Sequence, residues 1–282
     1  MAGDKHTGVT MKYELVNDQS TIVNGVALYR IRALRDVPYY DVEAGDYGGW
    51  VAGGHNLSQD DDDAWICDNA AVYGNAHVSG GAAVYGNARV YGNAVISGNA
   101  AVYGYAAVYG KARVYGHAHI SGNAGVRDNV VVSGYAHVYD NAVVQGEAVV
   151  RGHARVSGDA LVSGRAEVYG NARVCGSAKV YGHAKVCGFA KVYDEACVYG
   201  FAEVSGDAMV GGRVEVGDRM QVQHTQQIMR DDDMSFPDWL AVLDNAAQCV
   251  GVPVDVGDAA LFDLYELGYA PVPSLIAAQF NP

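Results

Sequence analysis

The chain has little proline, 6 residues in 282, and little phenylalanine or tryptophan, 5 and 3. No run of about 18 apolar residues occurs, which argues against a membrane-spanning helix. The opening, Met1-Ala2-Gly3-Asp4-Lys5-His6, lacks an apolar signal core. Cys67, Cys175, Cys187, Cys197 and Cys249 form no Cys-x-x-Cys pair and no even framework, so a disulfide scaffold is excluded and a reduced cytoplasm is expected. Basic residues are outnumbered, 19 Lys and Arg against 32 Asp and Glu, for a net charge of −13, which opposes direct nucleic-acid binding by the whole protein. The deficit sits at the two ends. Residues 1–63 carry 5 basic and 11 acidic residues, 64–222 carry 13 and 12, and 223–282 carry 1 and 9.

What the chain has in abundance is regularity. From Ile66 to Val222 every sixth residue is Val or Ile without a slip. Ala stands two residues before each, except at Val130, Val214 and Met220; Gly stands two after, except at Asp68, Asp128, Asp140, Asp194 and Asp218 and, past the last unit, His224. Ala88-Arg89-Val90-Tyr91-Gly92-Asn93 is a representative unit. Six residues are too few for a helix and turn and suffice for one short strand and a corner. Side chains alternate along a strand, so Ala and Val point inward together and their neighbours point outward. The corner needs a positive φ, which Gly adopts freely and Asp tolerates. Three such strands close a triangular coil, and the repeat makes about nine coils spaced by roughly 4.8 Å.

The ends differ. Thr21-Ile22-Val23 and Val26 to Ile31 flank Asn24-Gly25, a hairpin signal. Gly45, Gly48 and Gly49 around Trp50 suggest tight turns carrying one aromatic plug, in a segment that covers the first coil's open edge. The acidic run Asp60 to Asp63 lacks the alternating ligands and Gly of an EF-hand loop and reads as a solvated loop. Beyond Val222, Gln223 to Arg230 is polar and helix-compatible. Ser235 as N-cap, then Trp239, Leu240, Leu243, Ala247 and Val250 at helical spacing, predict a helix, with shorter ones from Asp258 and Pro273. The expected organisation is a β cap over 1–63, a parallel β-helix over 64–222 and an acidic helical domain over 223–282: an all-β protein with a small α appendage.

The segment Leu28 to Ala76, LYRIRALRDV through VEAGDYGGWVAGGHNLSQ to AWICDNAAVYGNA, resembles the opening of YdcK-type hexapeptide-repeat proteins. That resemblance implies a left-handed winding, which the periodicity alone leaves open, and brings no assigned chemistry with it. The C-terminal segment, with Trp239, Asp255 to Asp258 and Tyr265 to Gly268, is similar to a small helical domain recurring in phage and prophage proteins. Together they imply a phage or prophage origin and residence in the host cytoplasm.

Acyltransferases of this fold use a catalytic His beside a loop thrown out from one corner. No insertion interrupts 66–222, and no His among 77, 117, 119, 137, 153 and 183 is marked out by a nearby acid and a break in the pattern. No catalytic residue, metal or cofactor is assigned. Binding candidates are columns of outward residues eighteen apart. One runs Ala101, His119, His137, Arg155, Arg173, Lys191 and forms a basic ridge. His119 over His137 offers two metal ligands without a third. Tyr73, Tyr91 and Tyr109 form an aromatic column, as do Tyr181 with Tyr199 and Tyr85 with Tyr103, stabilising the sheet and offering contact surface. Asp231, Asp232 and Asp233 open the acidic end.

The expected function is a rigid, non-catalytic interaction protein, monomer or homotrimer, that binds a host protein, itself a nucleic-acid-binding one, as an anti-defence or anti-CRISPR inhibitor acting by steric block. An acyltransferase and a structural virion component are the competing readings. A Val→Asp change at an inward repeat position is expected to cost several kcal/mol by leaving a charge unpaired in a dry interior. Loss of cooperative thermal unfolding measures it.

Overall fold

The computed structural model describes residues 11–60 and 62–223, together with the backbone of 227–230. It is a parallel β-solenoid of about 10 turns. The helices expected between 235 and 279, Cys249, and Asp231 to Asp233 lie outside the described residues. Among those described, the only helical piece is one 3-10 turn, Pro38–Tyr40. Two stretches, up to Asn123 and from Ala124, form separate compact units.

In the first unit, β1 (Tyr13–Val23) and β2 (Val26–Ala33) form an antiparallel hairpin whose turn is Asn24-Gly25. Both turn residues have positive φ, 50° and 78°, matching the twist a two-residue hairpin needs. β2 then pairs antiparallel with β3 (Tyr47–Val51), Tyr29 opposite Val51 and Arg30 opposite Trp50. β3 is already a solenoid strand, because it runs parallel to Ala71–Val72 with Val51 opposite Val72. Leu57 bridges Val78 in the same sense. The solenoid therefore begins before the strict repeat, and the hairpin covers its first strand by edge pairing.

Inward positions Val51 and Leu57 are six apart, whereas Leu57 and Ile66 are nine apart. The three additional residues fall at the Asp60 to Asp63 corner. This run is not merely solvated. Lys12 is fully buried, and its ammonium donates to Asp62 Oδ1 at 2.5 Å. The other oxygen of Asp62 accepts the Gly80 amide at 2.7 Å. Asn56, also fully buried, is saturated: its amide nitrogen donates to the Gly74 and Ala76 carbonyls, and its oxygen accepts the Ala52 and Gly53 amides. The Tyr13 hydroxyl donates to the Leu57 carbonyl at 2.8 Å, and burial pushes its pKa up to about 12. Buried polar groups so paired avoid the desolvation cost of leaving them open.

Two expectations for this end are corrected. Trp50 is not the plug: it is half-buried beneath the Arg30 guanidinium, 5.0 Å from its ring, while Tyr13 and Trp65 fill the interior edge to face. Gly48 and Gly49 are not turn residues but lie within β3. A Cβ on Gly48 would stand 2.6 Å from Ile31 Cγ1, and one on Gly49 would stand 2.4 Å from Ile66 Cγ2. They admit close packing, and only Gly45, at φ 104°, makes a turn.

Strands of two residues then recur in three sheets. Every inward Val, Ile and Ala from Ala64 to Val210 is buried, each Val contributing about 1.5–3 kcal/mol. Each coil is tied to the next by backbone bonds at strand and corner: the amides of Ala71, Tyr73 and Asn75 donate to Ala88, Val90 and Gly92 at 2.9, 3.0 and 2.7 Å.

The second unit repeats the arrangement. One sheet carries Gly125–Val126, Val143–Val144, Leu161–Val162, Lys179–Val180, Cys197–Val198 and Glu215–Val216. A second carries His137–Val138, Arg155–Val156, Arg173–Val174, Lys191–Val192 and Met209–Gly212. The third runs from Val131–Val132 to Gln221–Val222. The stretch Gln223 to Arg230, expected to be helix-compatible, is not helical where its backbone is described, at Gln227–Arg230. Gln227–Arg230 is a strand of the second sheet, parallel to Met209–Gly212, with Ile228 opposite Val210. Ile228 is six residues past Val222, so the hexad phase outlasts the loss of the Ala and Gly positions.

Positive φ at the corners, from 54° to 76°, explains Gly and Asp. The Asp corners do more. Oδ2 of Asp68, Asp128, Asp140 and Asp194 each accepts the amide of the glycine eighteen residues on, at 2.9–3.1 Å. Asp62 treats Gly80 the same way. A Cβ at Gly158 would meet the Gly176 carbonyl oxygen at 2.7 Å. Gly158→Ala is therefore expected to cost about 1–2 kcal/mol. Gly158→Asp should recover about 1 kcal/mol of that through a bond to the Gly176 amide. Comparing their denaturant midpoints tests this; equal losses would show that the carboxylate contributes nothing.

The buried pair makes a pH prediction. Burial alone would raise the Asp62 carboxyl, but the Lys12 ammonium and the Gly80 amide hold it below its ordinary 3.8. A depressed carboxyl stabilises the fold above its unfolded pKa, and that contribution is lost as pH falls through the folded value. The double variant Lys12→Met/Asp62→Asn removes both charges together and should show a shallower fall in urea midpoint below pH about 4 than the parent.

Candidate interaction surfaces

Outward residues eighteen apart stack at strand spacing, about 4.8 Å. In the second unit His137 lies opposite Arg155, Arg155 opposite Arg173, and Arg173 opposite Lys191, the column continuing to Met209 and Gln227. Arg155, Arg173 and Lys191 are exposed. None of the three has a carboxylate partner among the described residues. Other arginines of the unit do: Arg151 meets Glu167 at 3.5 Å, Arg165 meets Glu147 at 2.7 Å, and Arg213 meets Glu195 at 3.1 Å. On the third sheet the outward column alternates in sign, Glu167 opposite Lys185 and Lys185 opposite Glu203. The cationic ladder is thus a local departure from charge pairing.

Beside it lies a shallow groove of about 480 Å³, lined by Asn171, Arg173, Phe189, Lys191, Asp207 and Met209. Phe189 is 62 % exposed at the corner. Residue type alone does not mark this groove, because the corner position of Phe189 varies freely along the repeat, holding residues such as Asn, His, Tyr, Phe, Glu, Asp, Lys or Arg. The thiol of Cys175 borders the ladder; burial and Asp194 raise its pKa, while Arg173 and Lys191 pull it down.

In the first unit, His119 lies opposite Ala101 and its ring meets Tyr103 edge to face at 6.2 Å. Burial, with His117 nearby, holds its imidazole below the usual pKa. Among the described residues no three His, Cys, Asp or Glu side chains come together as a metal site.

The tyrosine column stacks. Rings of Tyr73 and Tyr91 are 5.1 Å apart, those of Tyr91 and Tyr109 4.7 Å, and both pairs are within 5° of parallel. Tyr85 and Tyr103 stack at 4.8 Å, Tyr181 and Tyr199 at 5.4 Å. Tyr73, however, is only 5 % exposed: it packs with Leu28, and its hydroxyl accepts from the Asn24 amide at 3.0 Å. It anchors the hairpin and, with Asn24, shows only an edge to the groove beside it. The open wall of this sheet is a groove of about 390 Å³, where Arg89 stands over Ala107 beside Asn87, Tyr91 and Tyr105. Tyr105, 69 % exposed, occupies a corner rather than a strand, so a column search over strand positions passes it by.

Residues 82–97 match the YdcK beta solenoid repeat. The YdcK-type segment comprises the strands Ala83–Val84, Arg89–Val90 and Val95–Ile96, one from each sheet and hence one turn. No curated protein matches the chain. The YdcK likeness therefore speaks for the repeat, and any function has to be argued from the surfaces.

Like charges directly opposite destabilise a sheet, by about 0.2–1 kcal/mol per pair. Arg173→Glu replaces two such contacts, with Arg155 and with Lys191, by attractive ones. It is expected to raise stability by about 0.5–1 kcal/mol, an effect that shrinks with added salt. Thermal unfolding at two ionic strengths measures it; an unchanged or lower midpoint would show that the ladder carries no repulsion.

Proposed function

We propose that the protein is a non-catalytic interaction protein whose ladder of His137, Arg155, Arg173 and Lys191 takes an acidic protein surface. The observation that carries this reading is a column of three adjacent cations without a carboxylate partner among the described residues, on a chain of net charge −13. Stacked strands hold the cations in place before contact, so little ordering entropy is lost on association. The overall negative charge disfavours a phosphate chain as the ligand. If the chain is phage-encoded, as its resemblances imply, the partner is a host macromolecule in the cytoplasm and binding acts by steric block, in the manner of an anti-defence or anti-CRISPR inhibitor. The left-handed winding of the YdcK-type repeat belongs to the same proposal.

The test is titration with poly-glutamate, followed by calorimetry. Binding should weaken steeply with salt and fall at least tenfold in Arg155→Ala/Arg173→Ala, a loss of about 1.4 kcal/mol or more. Affinity unchanged in that variant would overturn the assignment. Heat of binding with acetyl-CoA would favour the acyltransferase reading instead.

A further inference from the structure

The spacing of the ladder restricts what can lie along it. Arg155, Arg173 and Lys191 succeed one another at the strand spacing, about 4.8 Å, so the outer two stand about 9.6 Å apart along the column. An α-helix rises about 1.5 Å per residue, and its residues i+3 and i+7 share a face with residue i at about 4.5 and 10.5 Å along the axis. Each acid of such a stripe comes within about 1 Å of the level of one cation. An extended strand laid the same way turns every second side chain to the face, at steps of about 6.7 Å, so its third acid overshoots Lys191 by about 4 Å. The helix meets all three cations without splaying them. The strand meets them only by spreading the outer two apart.

The flanks of the ladder add apolar contact. Corner residues run beside it at the same spacing, with Tyr135 two residues before His137 and Phe189 two residues before Lys191. Both rings are exposed, and Tyr135 stacks on His153 at 4.9 Å. Exposed aromatic rings beside arginines are the side chains on which protein interfaces concentrate their binding energy. Past Lys191 the column ceases to be basic: Met209 follows, with Asp207 in the groove beside it. A fourth acid there would meet a carboxylate, so the face suits a stripe of three.

We infer that the partner presents an acidic amphipathic helix laid along the column. Its Asp or Glu at i, i+3 and i+7 face Arg155, Arg173 and Lys191, and an apolar residue bordering that stripe sits on Phe189. This rests on the reading of the ladder as a face for an acidic protein surface and names the element of that surface. The three acids also relieve the like-charge repulsion of the column.

Three synthetic peptides test it on the full chain, by fluorescence anisotropy at low salt. The first is locked as a helix by a lactam on its far side and carries Glu at i, i+3 and i+7 with a Leu bordering them. The second has the same composition and lock, with its glutamates spread around the helix. The third keeps the order of the first but has Pro at two interior positions, which breaks the helix. The first should bind at least tenfold more tightly than the other two. Arg173→Ala, which removes the central cation, should abolish that preference. Phe189→Ala should weaken the first peptide several-fold and leave poly-glutamate binding unchanged. Equal affinity for all three, still lost in Arg155→Ala/Arg173→Ala, would overturn the helix and leave the ladder as a face for any acidic chain. Tighter binding of the proline peptide would overturn it in favour of an extended acidic segment. Binding of neither the peptides nor poly-glutamate would sink the reading of the ladder itself.

Discussion

Residues eighteen apart lie one strand spacing apart, and the rest of the structure depends on that constraint. Inside, it sets Val on Val and Ala on Ala, so each layer meets a copy of itself and no large side chain is needed to fill the interior. At the corners it brings backbone onto backbone, close enough that a Cβ at Gly158 would collide with Gly176. Outside, it makes every surface residue a cross-strand neighbour of two others. The surface is therefore a set of columns, each with an energy of its own, rather than a scatter of independent side chains.

That constraint decides what could be read from the residues. The strand positions, the three-sheet arrangement and the Asn24-Gly25 turn were legible, because each is a local pattern with one steric solution. Stacking of Tyr73, Tyr91 and Tyr109 followed from spacing alone. The burial of Tyr73 did not, because the hairpin that covers it is remote in sequence. Gly48 and Gly49 resemble turn glycines, and only the approach of Ile31 and Ile66 shows that they make room instead. Gln227–Arg230, within the helix-compatible stretch Gln223 to Arg230, is a strand for a related reason. Its polar composition suits a helix, but a strand already in phase at Ile228 finds a ready template in Met209–Gly212, and tertiary pairing outweighs propensity.

The first coil shows what it takes to start such a stack. Its leading edge has no preceding copy to bond with, and an exposed edge invites pairing with other chains. The antiparallel hairpin supplies the missing partner for β3. Here the repeat's uniformity breaks, and the interior admits Lys12, Asn56 and Tyr13, each with its polar atoms matched. The corner of Asp60 to Asp63, which looks like a solvated excursion, is where the cap is fastened: Asp62 holds the buried Lys12 with one oxygen and the second coil's Gly80 with the other. The same acid-to-amide bond recurs at Asp68, Asp128, Asp140 and Asp194, so the cap uses a device of the repeat itself.

The ladder is the place where the repeat does not follow its own rule. Arg151, Arg165 and Arg213 each reach a glutamate, and Glu167, Lys185 and Glu203 alternate in sign at the same spacing. Alternation is thus open to this fold at no steric cost, since an outward strand position accepts Glu or Lys alike. Arg155, Arg173 and Lys191 forgo it and accept repulsion that a single reversal would relieve. In a structure that satisfies its polar groups elsewhere, down to a fully bonded buried Asn56, this column is the departure from charge matching among the described residues.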